Sequence, residues 1–125
     1  MNLNQITVCC DNMNDSIEFY KSLGLKLIVH SEDSYSRFLC PDGDSTFSIQ
    51  QTDVKENIGK TKVYFEVKNL DNKVEELIAK GINFDKKPED MPWLWREAYL
   101  KDPYGNQIIL YFAGENRINP PWKIN

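Results

Sequence analysis

The residues with the most acid–base capacity in this chain share one strand-like segment. Across residues 60–67 the alternation is strong: Val63, Phe65 and Val67 fall on one side, and Lys62, Tyr64 and Glu66 on the other. An ammonium and a carboxylate on one face can act as an acid–base pair, or can simply neutralise each other as an ion pair. Glu97 is a second carboxylate in a segment of the same alternating type. Cys9 becomes a nucleophile only if an ammonium such as that of Lys62 stands close enough to hold it as a thiolate; otherwise it is a small buried filler. A single histidine, His30, leaves no Ser-His-Asp set to assemble. Neither a P-loop nor a Gly-x-Gly-x-x-Gly turn is present to cradle a phosphate.

The elements that position these residues are written twice. A constant offset lays Asn12 on Asn69, Met13 on Leu70, Ile17 on Val74, Glu18 on Glu75, Gly24 on Gly81 and Leu27 on Phe84 without a gap. A second echo sets Cys40-Pro41-Asp42-Gly43 against Asp102-Pro103-Tyr104-Gly105. Each copy is therefore a whole supersecondary unit. In the first, residues 3–10 read as a strand, Asn12 or Asn14 caps a helix striped by Met13, Ile17 and Tyr20, and Gly24 ends it. Strands follow at 25–30, 34–39 and 46–51, giving β-α-β-β-β. The second copy repeats the order: a strand at 60–67, a helix over 69–80 ended by Gly81, a short strand at 82–85, and strands at 95–101 and 107–112. Residues 53–59 read as a polar linker, 86–92 as a charged, Pro-bounded loop, and the end with Pro120-Pro121-Trp122 as an irregular tail. The fold class expected is α+β: one domain spanning 1–125, with modules at about 1–52 and 60–113 and a tail at 114–125.

Composition narrows the function. At 125 residues the chain is long enough for a real core. The net charge is −4 and no basic run tracks a phosphate backbone, which argues against nucleic acid. No apolar stretch nears the roughly 20 residues that span a bilayer, and no leader pattern opens the chain, so a cytoplasmic location is expected. Cys9, Cys10 and Cys40 read as free thiols of a reducing compartment.

Two modules that each leave a sheet face uncovered must pack on something, most simply on each other, and the seam is then the natural place for a ligand. If Ile6, Val8 and Cys10 pack on the first helix, Gln5, Thr7 and Cys9 look the other way, with Ser48 and Gln50. If Val63, Phe65, Val67, Ile108, Leu110 and Phe112 pack on the second, the opposite face carries Lys62, Tyr64 and Glu66, then Gln107, Ile109 and Tyr111. Tyr35, Arg37, Trp95, Glu97 and Tyr99 join them from the third strand of each copy. A closed core would be aliphatic, so Arg37, Lys62, Glu66 and Glu97 there imply either internal ion pairs or an open cleft with aromatic walls. Trp93 and Trp95 flank Leu94, and alternation puts both on one face, as a pocket lid or a dimer contact.

This arrangement, with Asp15-Ser16-Ile17-Glu18-Phe19-Tyr20 and Leu23-Gly24 in the first helix and Asp102-Pro103-Tyr104-Gly105-Asn106 before the last strand, resembles the vicinal oxygen chelate superfamily of glyoxalases, bleomycin resistance proteins and extradiol dioxygenases. The resemblance implies curved mixed sheets enclosing a cavity, and often a homodimer. It also implies four ligand positions in the metal-dependent members, which here hold Gln5, Ser48, Lys62 and Ile109. That set argues against a metal or other cofactor, because an ammonium repels a cation and a hydrocarbon offers no lone pair. The expected function is metal-free binding of an aromatic or polar small molecule. The alternatives are a metal-independent lyase or isomerase using Lys62 with Glu66 or Glu97, and an interaction module whose cavity is filled.

Overall fold

The computed structural model describes residues 1–32 and 34–124; Asp33 and Asn125 lie outside the described residues. The order is β1 (Gln5–Cys10), α1 (Met13–Ser22), β2 (Lys26–Ser31), β3 (Tyr35–Leu39) and β4 (Thr46–Gln51), then β5 (Lys62–Glu66), α2 (Leu70–Ala79), β6 (Lys86–Asp90), β7 (Arg96–Lys101) and β8 (Gln107–Phe112). Single 3-10 turns lie at Lys55–Asn57 and Gly114–Arg117. The fold is α+β, two βαβββ modules whose open, mixed sheets run β1-β4-β3-β2 and β5-β8-β7-β6. The chain divides into two compact units, Met1–Thr61 with Asp102–Asn106, and Lys62–Lys101 with Gln107–Asn125.

In the first unit Asn12 is the N-cap of α1, and its side chain accepts from the Asn14 amide at 2.9 Å. The stripe it launches buries Met13, Ser16, Ile17 and Tyr20 against the sheet. Tyr20 is the centre of this core: its ring lies 4.5 Å from that of Phe47 and 6.0 Å from that of Phe38. Gly24 and Gly81, at φ of 102° and 95°, end the two helices in the left-handed region that a side chain would strain. In the second unit Leu70, Val74 and Leu77 of α2 are buried, as are Val63, Ala98, Leu100, Ile108 and Leu110 of the sheet. Fully burying a side chain such as Leu77 contributes about 1.5–3 kcal/mol.

One strand lies away from its expected place. Residues 82–85 do not form it; β6 is Lys86–Asp90, inside the segment expected to be a charged loop. Pro88 and the surrounding Lys and Glu residues argue against a strand by propensity, yet β6 is the sheet edge, where Pro needs no ladder donor. The register with β7 also shifts between Lys86 and Glu89, so Pro88 falls in a bulge. A Lys86–Glu89 ion pair at 3.2 Å adds a charged rim of the kind that protects an exposed edge.

Candidate functional site

Strand pairing fixes which side chains share a face, because directly opposed residues point the same way. In the second unit three rows cross the sheet on the face away from α2. Glu66, Tyr111, Glu97 and Glu89 form one; Tyr64, Ile109, Tyr99 and Lys86 the next; Lys62, Gln107 and Lys101 the last. Ile109, Tyr111 and Ala113 form a buried cluster here, with Trp95 and Tyr99 packed against it. The Trp95 ring stacks on Tyr111 with centroids 4.6 Å apart and planes 17° from parallel. Tyr64 stands edge-on to both, at 6.0 Å from Trp95 and 5.6 Å from Tyr111, and remains 47% exposed. Such pairings add about 0.5–1.5 kcal/mol each beyond burial.

Two carboxylates frame these rings. Glu97 is 1% exposed; its Oε2 accepts the Trp93 Nε1–H at 2.7 Å and its Oε1 accepts the Tyr99 O–H at 2.6 Å. Glu66 Oε2 accepts the backbone amides of Ala113 and Gly114 at 2.9 and 3.0 Å, and Oε1 meets Arg117 Nε at 3.7 Å. Glu66 therefore caps the last 3-10 turn. Lys62 makes no ion pair among the described residues and is not a partner of Glu66. Among the described residues, none of Arg37, Lys62, Glu66 and Glu97 pairs with another of the four.

Both indoles of the Trp93-Leu94-Trp95 segment reach this face, but through a turn rather than through alternation. Leu94 sits at φ 67°, with its amide bonded to the Met91 carbonyl and the Met91 amide to the Trp95 carbonyl. A left-handed leucine costs about 1–2 kcal/mol, which the turn and the two anchored indoles offset. Sequence reasoning missed the Trp93–Glu97 bond and the tail held by Glu66. Parity alone places Glu97 and Tyr99 side by side and was the available signal for their bond.

The Tyr99 hydroxyl is pushed up to about 12, first by its hydrogen bond to Glu97 and then by burial. A raised folded-state pKa is stability present below the unfolded value near 10 and lost as pH climbs toward 12. We expect the urea midpoint to fall more steeply across that window in the wild type than in Tyr99→Phe. Equal slopes would show that the bond does not hold the phenol protonated.

The first unit presents a different face. Gln5, Thr7 and Cys9 lie in register with Thr46, Ser48 and Gln50, and Ser48 and Gln50 with Arg37 and Tyr35. Thr7 Oγ1 and buried Ser48 Oγ are 2.7 Å apart, Gln5 Oε1 accepts from Thr46 Oγ1 at 2.7 Å, and Arg37 Nε donates to the Tyr35 hydroxyl at 2.9 Å. Burial raises the Tyr35 pKa, but hydrogen bonds from Ser48, Arg37 and Gln5 outweigh it and the net shift is downward. This surface is polar with one aromatic ring. Cys9, Cys10 and Cys40 are free, and burial pushes the thiols of Cys10 and Cys40 up, away from thiolate chemistry.

The residues at the four implied ligand positions do not fit a divalent ion. Gln5 and Ser48 are already engaged, Lys62 is an ammonium and Ile109 a hydrocarbon. His30 is exposed, bonded to Ser36 Oγ at 2.9 Å, and in the row that continues to buried Ile49 on the α1 side. Among the described residues no three of His, Cys, Asp and Glu are grouped to hold a metal. No helix among them is long and apolar enough to cross a membrane.

YraH of Bacillus subtilis (strain 168), an uncharacterized protein, is 29% identical over 127 aligned residues, covering 89% of this chain and 98% of its own. A glyoxalase/bleomycin resistance protein/dioxygenase from Nocardioides superposes with a TM-score of 0.78 at 21% identity, over 100% of this chain and 90% of that one. A bleomycin-binding protein, solved in complex with bleomycin, superposes with a TM-score of 0.71 at 14% identity, over 90% of this chain and 98% of that one. These structural likenesses are of fold. The family model of the Glyoxalase/Bleomycin resistance protein/Dioxygenase superfamily matches residues 2–110, and the chain belongs to that superfamily.

Proposed function

We propose that this protein binds a small, flat, conjugated molecule against the open face of its second sheet, without a divalent metal. The observation that carries the reading is the aromatic platform: Trp95 stacked on Tyr111, with half-exposed Tyr64 standing beside them. Aromatic surface left open to solvent on a sheet whose other face packs on α2 is a binding surface in waiting. Lys62, Glu66, Glu97, Tyr99 and Ile109 border it. On the first unit, Gln5, Thr7, Cys9, Arg37 and Ser48 are proposed as a separate polar binding face of their own sheet. Sequestration of this kind needs affinity and no transition-state machinery. A homodimer in the cytoplasm belongs to the same proposal; the free thiols suit a reducing compartment, and solution mass measurement tests the dimer.

The experiment is a thermal-shift and tryptophan-fluorescence titration of the full chain, with bleomycin as the first probe because a structural neighbour is solved with it. The midpoint should rise with the logarithm of ligand concentration, with EDTA making no difference. Trp95→Ala should weaken binding by about tenfold or more, since a stacked ring and its area are lost. Stabilisation by Ni²⁺ or Zn²⁺ that EDTA reverses, or a Trp95→Ala variant that binds as well as wild type, would overturn the reading.

A further inference from the structure

Glu97 is a buried carboxylate with no counter-ion among the described residues. It is 1% exposed, and the two groups that bond it, the Trp93 indole N–H and the Tyr99 hydroxyl, are both neutral. The basic side chains of the same face are spent elsewhere or stand apart. Arg117 meets Glu66 at 3.7 Å, Lys86 meets Glu89 at 3.2 Å and Lys101 meets Asp85 at 3.5 Å. Lys62 lies two rows from Glu97, and two rows are four residues of strand, about 13 Å. That is far beyond ion-pair contact, so Lys62 is not a counter-ion of Glu97.

The rows therefore grade the face from acidic through aromatic to basic. Trp95 and Tyr111 stand at the acidic end, and ring faces are themselves negative. The aromatic row already takes one ammonium: Lys86 Nζ lies 5.2 Å from the Tyr99 ring centroid. The Glu97 charge is also felt at half-exposed Tyr64, whose hydroxyl is pushed up by burial and then by Glu97. Two neutral donors satisfy its oxygens but bring no positive charge.

Resting on the binding reading above, we infer that the ligand is a planar organic cation, stacked on the half-exposed Tyr64 ring and edge-on to Trp95, with its positive charge toward Glu97. The ligand then supplies the counter-charge that the chain does not. Lys62 at the far end disfavours a cation placed the other way round, which fixes the orientation.

The test uses three bicyclic probes of matched shape on the full chain: N-methylquinolinium, quinoline at a pH where it is uncharged, and 2-naphthoate. Calorimetry should give the cation about tenfold tighter binding than quinoline, with naphthoate weakest. Glu97→Gln, which keeps an acceptor for Trp93, should bring cation and quinoline to within about threefold of each other. Lys62→Met should keep the order and change the cation's affinity by less than about twofold. Equal binding of quinoline and the cation, or tightest binding of naphthoate, overturns the charge preference and leaves the platform standing. Loss of all three overturns the platform and the inference together. A Glu97→Gln chain that keeps the wild-type ratio overturns the role of Glu97; if that variant does not fold, the wild-type order and Lys62→Met decide.

Discussion

Asp102→Ala should lower the thermal midpoint by about 10 °C, a loss of about 3 kcal/mol at roughly 4 °C per kcal/mol for a chain of this size. Asp102 is 5% exposed and its two oxygens accept four hydrogen bonds. Oδ1 takes the amides of Tyr104 and Asn106, both at 2.9 Å, and so shapes the Asp-Pro-Tyr-Gly turn. Oδ2 takes Asn106 Nδ2 at 2.8 Å and the hydroxyl of Tyr20 at 2.6 Å. Tyr20 is fully buried, and burial first, then the Asp102 charge, push its hydroxyl up, so it donates and stays a phenol. Alanine strands that hydroxyl without its acceptor in the aromatic core of the first unit. Tyr20→Phe removes one donor and leaves three on the carboxylate, so its cost should be about 1–1.5 kcal/mol. A drop under 3 °C for Asp102→Ala in a urea or thermal melt would show that the turn holds without its aspartate.

That contact marks the boundary of what the chain discloses as text. Asp102-Pro103-Tyr104-Gly105 is legible as a turn because Pro and Gly set its dihedrals, and Tyr20 is legible as part of a helix stripe. Their bond joins residues 82 positions apart, and only the need of a buried phenol for a partner hints at it. Helix ends read well because Asn12 and the glycines act locally. The face of β5 and β8 reads well because a period of two is rigid once Val63 and Ile108 are assigned to the helix side. β6 does not read, since Pro88 is a strand breaker everywhere except at an edge or a bulge, and being at the edge is a property of the finished sheet. Trp93 reaches Glu97 only because Leu94 takes a positive φ, which no periodicity encodes. The expectation that charged groups on the open faces either pair or line a cleft covers only part of what Glu66 does: one oxygen meets Arg117, and the other is spent on the amides of the tail.

Glu97→Ala should cost the second unit about 2–3 kcal/mol, and the comparison with two milder variants says why. Alanine removes the acceptor from Trp93 and Tyr99 and leaves a void behind the rings, so lost hydrogen bonds and a cavity add. Glutamine fills the space, offers an oxygen to the Trp93 N–H and can donate to the Tyr99 oxygen, so about 1 kcal/mol should be lost. Methionine fills the space with no charge at all. It forfeits both hydrogen bonds, but Trp93 is 42% exposed and can turn to water, and the desolvation of a carboxylate at 1% exposure is no longer needed. Its midpoint should therefore lie within about 1 kcal/mol of wild type. A methionine variant as damaged as alanine would mean that the fold requires the carboxylate for its hydrogen bonds. A methionine variant as stable as wild type means that the fold does not require it, and a charge carried at 1% exposure behind solvent-facing rings then answers to recognition rather than to stability.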